Sequence, residues 1–285
     1  MQPMPLLLDL LAQRFPAAKR TTLKRMVQVG RVTVNGVKAH KLKQSLQPTD
    51  RLDVLDHGPL PQRSADPLKI IHEDADVIVV AKPAGLLTST VPREKRPTAL
   101  AILCRYLAAG EPSSHIGLIH RLDRDASGLL VFSKHHEAYR SLKEQFFTHA
   151  VERVYTARVT GVPNPRSGRI DSRLVELPDG SVRPTQRLDR GVRAVLEYEV
   201  IDDDRKTSLL RVTLLTGRKH QIRAQLAARG HPVVGDATYG QPSPDAQRRG
   251  LLLVATRLAF NHPRTGLRVS FEIEPPAAML THPKE

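Results

Sequence analysis

The sequence predicts an α+β fold: a mixed, mostly antiparallel β-sheet with flanking helices, preceded by a small basic α/β domain. Three observations lead to this expectation. From Leu68 onwards, β-rich runs outnumber helical segments and follow one another in consecutive groups, which is typical of sheets built from neighbouring strands. A proline-rich stretch with few apolar residues comes directly before these runs and divides the chain. The part in front of that stretch is short and strongly basic.

Composition therefore divides the 285 residues into two predicted domains. Residues 1–58 carry ten Lys and Arg against four Asp, which gives this part a net charge of +6. Residues 59–67 contain three prolines, and we interpret them as a linker. Residues 68–285 form the larger second domain.

The first domain is predicted to contain a basic helix and a β-hairpin. Leu23, Met26 and Val27 stand at helical spacing, and the basic residues around them fall largely on another face. Residues 31–36 then alternate apolar and polar side chains and end in Asn-Gly, a strong hairpin signal, before a short strand at 51–55. A helix packed on a hairpin offers phosphates a rigid cationic face, although a merely solvated basic helix has the same pattern.

The second domain is predicted to alternate between strands and helices. Pro97 stands near the start of one helix, and Gly230 with Pro232 ends another. The predicted strands are 68–71, 77–80, 116–119, 129–132, 151–159, 194–201, 209–215, 251–260 and 267–273. The predicted helices are 98–107, 136–147 and 219–228.

Charge and cysteine content narrow the function. The chain has a formal net charge of +15, and nucleic acid is the polyanion that a basic protein meets most often. Cys104 is the only cysteine, so an intrachain disulfide and a Cys-based zinc site are excluded. Because Cys104 lies in an apolar helical run, we expect a thiol packed in the core rather than a nucleophile.

A membrane or targeting segment is not predicted. No apolar stretch approaches the length of a membrane span, and the first eleven residues lack the basic start of a secretion signal. We therefore expect a cytoplasmic protein without a membrane partner, acting as a monomer.

A charged loop between two apolar strands is the first candidate site. It runs from His120 to Gly128, and a loop at a strand end is where a rigid scaffold presents catalytic groups. Asp123 stands among His120, Arg121 and Arg124, and nearby cations favour an ionised carboxylate that can act as a nucleophile or meet positive charge. An ordinary Asx turn with surface ion pairs has the same local sequence.

A second candidate stretch joins a strand end to a helix start. It runs from Thr216 to Arg223, and free backbone N–H groups at a helix start, together with cations, favour an anion. The spacing of a phosphate-binding P-loop is absent. His120 and His220 have no Cys or helical His partner, so we expect no metal site.

The basic stretch near the start resembles a known RNA-binding module. Residues 19–36 resemble the module of ribosomal protein S-four, and the likeness extends over about residues 6–56. Its usual Arg-Leu-Asp opening is replaced here by Leu6-Leu7-Leu8-Asp9. The resemblance implies RNA contacts from five cations, namely Lys19, Arg20, Lys24, Arg25 and Arg31.

The rest of the chain resembles the RluA-type pseudouridine synthases over about residues 68–276. The motifs stay in family order: Lys82–Gly85, His120–Asp123 with Ser127-Gly128, Arg153–Ala157, Gly217–Arg223, Gly230–Gly240 and Leu258–Pro263. His120 before Arg-Leu-Asp favours this branch over a related one that carries Gly there. Ala126 stands where the family usually has Thr, and Thr88-Ser89-Thr90 replaces a more typical sequence.

This resemblance implies catalytic roles for three residues, with neither a metal nor an organic cofactor. Asp123 is the implied catalytic aspartate, and Arg223 is expected to pair with it. Tyr155 is expected to stack on the uracil and to take or relay the proton lost from the base carbon, although a half-buried strand tyrosine is the structural alternative. Whether Asp123 attacks the anomeric carbon or removes a ribose proton stays open.

The resemblance also implies a set of substrate-binding residues. Arg121 is a candidate to fill the space that the flipped nucleotide leaves, and Ile222 is expected to form the pocket floor. The remaining substrate-binding candidates are Lys82, His120, Arg218 and His220.

Three functions follow as hypotheses. The first is an isomerase that converts uridines in structured RNA to pseudouridine, with ribosomal RNA favoured over transfer RNA as the partner. The second is a non-catalytic RNA-binding or ribosome-assembly factor. The third is a metal-dependent nuclease or phosphatase, against which the scarcity of metal ligands argues.

Overall fold

The structure is a computed structural model, and it describes residues 5–16, 18, 20–28, 31–39, 41–47, 49–54, 65–90, 96–108, 116–240 and 250–280. These residues form two compact units, of which the first ends before Ala65 and the second begins there. Most of the linker expected at 59–67 lies outside the described residues. Ala65, at its end, is buried in the core of the second unit.

The first unit packs two helices on a three-stranded sheet. Asn35 and Gly36 both have positive φ angles, 53° and 79°, as the two central residues of a type I′ turn require, so the predicted hairpin is confirmed. Buried Leu7, Leu23 and Val32 come from different elements of one core. The elements are α1 (Leu7–Arg14), α2 (Arg20–Gln28), β1 (Val32–Val34), β2 (Val37–Lys38) and β3 (Leu52–Val54).

The second unit contains an eleven-stranded sheet and four helices among its described residues. Its strands are β4 (Lys69–Glu73), β5 (Val77–Lys82), β6 (Gly117–Leu118), β7 (Ser127–Ser133), β8 (Glu152–Thr160), β9 (Ser167–Glu176), β10 (Val182–Thr185), β11 (Val192–Asp203), β12 (Thr207–Leu214), β13 (Leu253–Asn261) and β14 (Arg268–Glu272). Its helices are α3 (Ala99–Ala108), α4 (His136–Phe147), α5 (Gln221–Ala228) and α6 (Ala277–Leu280).

The sheet is mostly antiparallel, which confirms the predicted α+β class. Its main strand order is β10-β9-β11-β12-β8-β13-β7-β5-β4, with β14 paired to β13 and β6 paired to β7. Only the pairing of β13 with β7 is parallel among the described strands. Gly128 lies at this junction with φ +114°, and a Cβ there would come within 2.3 Å of the Ala255 carbonyl oxygen. The glycine therefore lets two strands approach directly behind the Asp123 loop.

The sequence prediction missed two strands, β9 and β10. Charged residues dominate the exposed face of β9. Two of them form ion pairs with the neighbouring strand β11, Asp171 with Arg193 and Arg169 with Glu197. On the opposite face of β9, only Ile170 and Leu174 are buried. So few apolar side chains give a weak alternating pattern, and pairing with β11 determines the strand.

The expected burial of Cys104 is wrong. Helix α3 buries Ala99, Ile102, Leu103 and Leu107, which recur at helical spacing on one face. Cys104 falls outside that face, and its thiol is exposed. No helix in the described parts of the chain is long and apolar enough to cross a bilayer.

Candidate active site

The candidate carboxylate, Asp123, lies in the loop between β6 and β7. The hydroxyl of Thr88 donates to the Leu122 carbonyl at 2.9 Å and accepts from the Leu122 amide at 3.2 Å. Thr88 is 2% exposed, so this double hydrogen bond is shielded from water. Although Thr88 belongs to a segment that departs from the family pattern, it fixes the backbone beside the candidate carboxylate. Ala126, the other departure, is buried in the hydrophobic core.

Lys82 holds the same loop through hydrogen bonds from its ammonium group. Its ammonium donates to three carbonyl oxygens, those of Pro83 at 2.9 Å, Leu86 at 2.7 Å and Arg124 at 2.9 Å. Burial lowers the pKa of Lys82 to about 8, against the opposing charges of Asp125 and Asp123. Lys82 is 1% exposed and does not line the cleft described below. The buried ammonium, with these three acceptors, holds the loop, and the expected substrate-binding role of Lys82 stays a prediction.

Arg223 reaches the loop from α5. Gln221, at the start of that helix, accepts from the Thr216 hydroxyl at 2.8 Å and from the Arg218 amide at 3.0 Å. Its side-chain amide also donates to the Val195 carbonyl at 3.0 Å. These bonds anchor the helix start to the neighbouring strand. Gln221 is thus a positioning residue that the sequence pattern did not indicate.

The central feature of the site is a line of three charged side chains. Arg223 Nη1 lies 3.1 Å from Asp123 Oδ2, the pairing that the family resemblance implies. On its other side Arg223 donates to Asp236, from Nε at 2.7 Å and from Nη2 at 2.9 Å. The Arg223 guanidinium also lies over the Tyr239 ring, 5.2 Å from its centroid. The arginine is thus held on three sides and shared between two carboxylates.

Asp236 is the fixed end of this line. Its side chain is 0% exposed, and its carboxylate also accepts from the backbone amides of Thr238 and Tyr239. Burial acts to raise the pKa of Asp236, but the hydrogen bonds and charge of Arg223 outweigh burial and hold that pKa below its usual range. Asp123 is 24% exposed at its side chain, so it is the carboxylate that faces solvent.

Asp123 and Arg223 line a cleft of about 1030 Å³. It brings together eight of the nine residues expected to be catalytic or substrate-binding; Lys82 is the exception. The eight are His120, Arg121, Asp123, Tyr155, Arg218, His220, Ile222 and Arg223. Segments more than 100 residues apart in the chain therefore meet at one surface.

Tyr155 and Ile222 form the apolar part of the cleft. They are 7% and 4% exposed, and both belong to the main hydrophobic core. Burial raises the pKa of Tyr155 to about 12, with the charge of Arg153 opposing this and that of Asp123 adding to it. The phenol is therefore neutral at physiological pH, and its ring presents a flat apolar face to a ligand.

Three histidines line the cleft, and two of them, His120 and His220, were expected to bind the substrate. His120 stacks on Phe146 with centroids 4.6 Å apart, and its Nε2 accepts from the Val131 amide at 3.2 Å. Burial lowers the pKa of His120 to about 3, and nearby Arg153 and Lys143 add to this. His220 has a left-handed φ of 51° before α5, and its Nδ1 lies 3.0 Å from the Tyr239 hydroxyl.

Arg121 is one of the exposed cations that line the cleft. It forms no hydrogen bond or ion pair with any residue that the structure describes. A long side chain in this position is available to a ligand.

The cations expected to bind RNA in the first unit are only partly described. Arg20 and Lys24 are exposed on α2, and Arg20 lies 3.7 Å from Asp9. Arg31 is partly buried. Lys19 and the side chain of Arg25 lie outside the described residues. The three described cations come from the second helix and the start of the hairpin.

Asp236 and Tyr239 are functional candidates that the sequence analysis missed. The segment Gly230–Gly240 was recognised as a family motif, but no role was given to its acid or its tyrosine. The signal available was the single carboxylate, Asp236, within the motif.

A cluster of metal-ligand side chains lies among residues of the β4–β5 turn and the end of β13. Asp74, Asp76 and His262 place ligand atoms within 4.8 Å of one another. Asp76, however, accepts from both Nε and Nη2 of Arg264, at 2.8 and 2.9 Å, and from His135. We therefore interpret the cluster as an ion network that fastens the turn.

Comparison with known proteins identifies the family of this site. A family model described as RNA pseudouridylate synthase matches residues 76–228. An Aquifex aeolicus protein described as an uncharacterized RNA pseudouridine synthase is 35% identical over 281 residues, covering 93% of this chain and 89% of the relative. The ribosomal large subunit pseudouridine synthase D of Zymomonas mobilis is 35% identical over 228 residues, covering 75% of this chain and 71% of that protein.

Solved structures support the fold. Human RNA Pseudouridylate Synthase Domain Containing 4 superposes with a TM-score of 0.63 at 23% identity, covering 74% of this chain and 91% of that one. Human RNA Pseudouridylate Synthase Domain Containing 1 gives a TM-score of 0.61 at 24% identity, with coverages of 74% and 84%. At this identity the likeness concerns the architecture of the sheet and helices.

Proposed function

This chain belongs to the RNA pseudouridylate synthase family, and from that premise we propose that it isomerises selected uridines of ribosomal RNA, with Asp123 as the catalytic carboxylate. Enzymes of this family are isomerases: they break the bond from ribose to the uracil nitrogen and remake it to a uracil carbon. Transfer RNA is the alternative substrate.

The pairing of Asp123 with Arg223 in an open cleft is the observation that carries the proposal. The carboxylate is partly exposed, its partner guanidinium is buried, and Tyr155 lies in the same cleft. A carboxylate held beside a reacting sugar stabilises the positive charge that develops when a glycosidic bond breaks, either through space or by forming a bond. Asp123 therefore has two routes, attack at the anomeric carbon or removal of a neighbouring ribose proton.

Tyr155 is the second group with a proposed chemical role. After the base is reattached through carbon, that carbon must lose its proton. A neutral phenol receives the proton at its oxygen only if it passes its own on, so the raised pKa favours a relay over a stored phenolate. The ring also offers the uracil a stacking surface.

Access to the cleft requires the target nucleotide to leave its stack. Unstacking costs a few kcal/mol and costs least where the base is already unpaired, so loops and junctions of folded RNA are the favoured targets. Arg121, an exposed side chain that lines the cleft, is proposed to occupy the space that the nucleotide leaves. A cleft of about 1030 Å³ lies at the upper end of the ~300–1,000 Å³ range of ligand sites.

Two features favour ribosomal RNA. The Zymomonas mobilis relative is described as a ribosomal large subunit enzyme. The first unit, with Arg20 and Lys24 exposed on α2, is proposed to be an S-four-like RNA-binding domain that binds the RNA and raises its local concentration at the cleft.

We propose further that the protein acts in the cytoplasm. We also propose that it acts as a monomer, since one chain supplies the whole Asp123–Arg223–Asp236 line.

The test is to map pseudouridines in total RNA from cells with and without the gene, and from deleted cells supplied with Asp123→Asn. The expected result is the loss of one or more ribosomal sites in the deletion, restored by the wild-type chain and not by the variant. Asp123→Asn, nearly the same in shape, should bind the RNA within a few-fold of wild type.

Three outcomes contradict the proposal in different ways. Full modification by Asp123→Asn would remove the aspartate from the mechanism. Sites lost from transfer RNA alone would change the substrate class. Ribosome defects in the deletion that Asp123→Asn repairs fully, without loss of any pseudouridine, would favour the non-catalytic assembly factor.

A further inference from the structure

Arg153 is a buried cation that lacks a carboxylate partner among the described residues. It is 8% exposed, lies on β8 two residues before Tyr155, and lines the same cleft. Its Nη2 makes one long hydrogen bond, 3.4 Å, to the Leu214 carbonyl, and its Nε is buried with no hydrogen-bond partner. Burying an unpaired charge is costly, so a protein keeps one where a ligand supplies the opposite charge.

Arg158, on the same strand, shows what a buried structural arginine looks like here. It is 1% exposed, and it donates from Nε to the Met279 carbonyl and from Nη1 to the Thr207 hydroxyl, both at 2.8 Å. Its Nη2, like Nε of Arg153, has no hydrogen-bond partner among the described residues, so the two arginines differ in their carboxylates. Asp204 lies 3.7 Å from Arg158 and Asp202 lies 4.0 Å away. The contrast is local: two buried arginines on one strand, one with carboxylates and one without.

Two further cations, Arg218 and Lys143, line the same cleft as Arg153, and so do two carboxylates, those of Asp123 and Glu176. Burial lowers the pKa of Arg153, and the charge of Arg218 lowers it further. Gly217 makes room for the guanidinium, because a Cβ there would lie 2.5 Å from Arg153 Nη1. Phe146 covers another side, with its ring centroid 5.6 Å from the guanidinium carbon.

We propose that Arg153, together with Arg218, binds a phosphodiester of the substrate RNA next to the target uridine. A phosphate carries the negative charge that Arg153 lacks as a partner, and a guanidinium fork matches its oxygens. The proposal rests on the proposed function, since it places this phosphate beside Asp123 and Tyr155.

A second cavity adjoins the active-site cleft and extends the proposed path of the RNA strand. Its volume is about 600 Å³, and it shares His149, Leu214 and Arg218 with the active-site cleft. Arg193 contributes a further guanidinium to its lining, and Val195 and Leu215 contribute apolar surface. A phosphate at Arg153 and Arg218 would therefore join the nucleotide in the cleft to a neighbour in this cavity, where cations meet the backbone and the apolar surface meets a base.

The first experiment measures the binding of a ten-nucleotide oligouridylate by fluorescence anisotropy across a range of salt concentrations. Loss of one phosphate contact should reduce the slope of log K against log salt by about 0.7 in Arg153→Gln. Arg166→Gln is the matched control, because Arg166 is an exposed arginine, paired with Asp203, that lines neither cavity. An unchanged slope in Arg153→Gln, or an equal reduction in Arg166→Gln, overturns the proposal.

The second experiment replaces single linkages of a modified RNA fragment with neutral methylphosphonates. Replacing one linkage adjacent to the target should lower wild-type kcat/KM about tenfold, as the loss of one charge-assisted contact does. The same replacement should lower kcat/KM of Arg153→Gln by less than about twofold, because that variant has already lost the contact. Equal costs in both proteins at every linkage would show that Arg153 contacts none of them.

Stability separates a ligand-binding role from a structural one. Thermal unfolding of Arg153→Gln should occur at or above the wild-type midpoint, because no internal ion pair is lost, whereas Arg158→Gln should unfold at a lower temperature. A large fall in the midpoint for Arg153→Gln would show a structural role and contradict the proposal. Should wild type form no pseudouridine in any RNA, the proposed function fails, while the salt slope still decides whether Arg153 binds phosphate.

Discussion

The buried carboxylate of Asp236 holds the guanidinium of Arg223 through two hydrogen bonds, 2.7 Å to Nε and 2.9 Å to Nη2. This leaves Nη1 directed at Asp123, 3.1 Å away. The two carboxylates that share Arg223 therefore have different roles. Asp236, fully buried, fixes the cation; Asp123, partly exposed, is free to meet a substrate.

Asp236→Asn is predicted to lower both activity and stability. The amide cannot balance the buried guanidinium, so the free energy of unfolding should fall by about 3 kcal/mol, as when one partner of a buried ion pair is removed. The turnover number should fall with it, because Arg223 is released from its orientation. Urea unfolding and single-turnover kinetics measure the two effects. The control is Asp171→Asn, which removes an exposed partner of Arg193 and should cost less than ~1 kcal/mol. Equal losses in the two variants would refute the role of Asp236.

Tyr155→Phe is predicted to separate stacking from proton transfer. The ring stays, so KM should stay within a few-fold of wild type, while kcat should fall about 100-fold because the hydroxyl is lost. Tyr198→Phe is the control, since that hydroxyl donates to the Pro165 carbonyl and lies outside the cleft. A Tyr155→Phe enzyme with wild-type kcat would leave Tyr155 with stacking alone.

Acid lability is predicted from His120. Its folded pKa is lowered to about 3 from an ordinary 6.5, so the unfolded chain takes up a proton at a pH where the native protein does not. The free energy of unfolding should therefore decrease as the pH falls from about 6.5 towards 3. His120→Gln keeps an acceptor and cannot titrate, so its stability should change less between pH 7 and pH 5. Denaturant titrations at the two pH values measure this, and parallel changes in the two proteins would exclude His120 as the source.

Thr88→Val is predicted to loosen the Asp123 loop. Valine has nearly the same shape but leaves the buried backbone amide and carbonyl of Leu122 without the hydroxyl, which should cost about 1–3 kcal/mol of stability and lower kcat. Thr148→Val is the control, because its exposed hydroxyl donates to the Glu144 carbonyl at the end of α4. Thermal unfolding and kcat are the measurements. Wild-type values for both in Thr88→Val would show that the loop holds its shape without this contact.

The sequence by itself determined the family and those elements that have a strong local pattern. Helix α4 begins and ends at the predicted residues, His136 and Phe147, because apolar spacing along one segment is a local property. The same holds for the hairpin at Asn35-Gly36, where the turn chemistry is contained in two residues. Six motifs in order placed Asp123 and Arg223 in one family pattern before their distance was known.

Only the tertiary structure decided which charges meet. Asp123 and Arg223 are separated by 100 residues in the chain, and nothing in either segment shows that Asp236 holds the arginine from behind. The same limit explains Lys82, whose three acceptors come from backbone carbonyls on two segments. It also explains Arg153 and Arg158, two buried arginines of the same strand. Of these two, only Arg158 has carboxylates nearby among the described residues. Periodicity is set by neighbours along the chain, whereas the energy of a buried charge is set by neighbours in space.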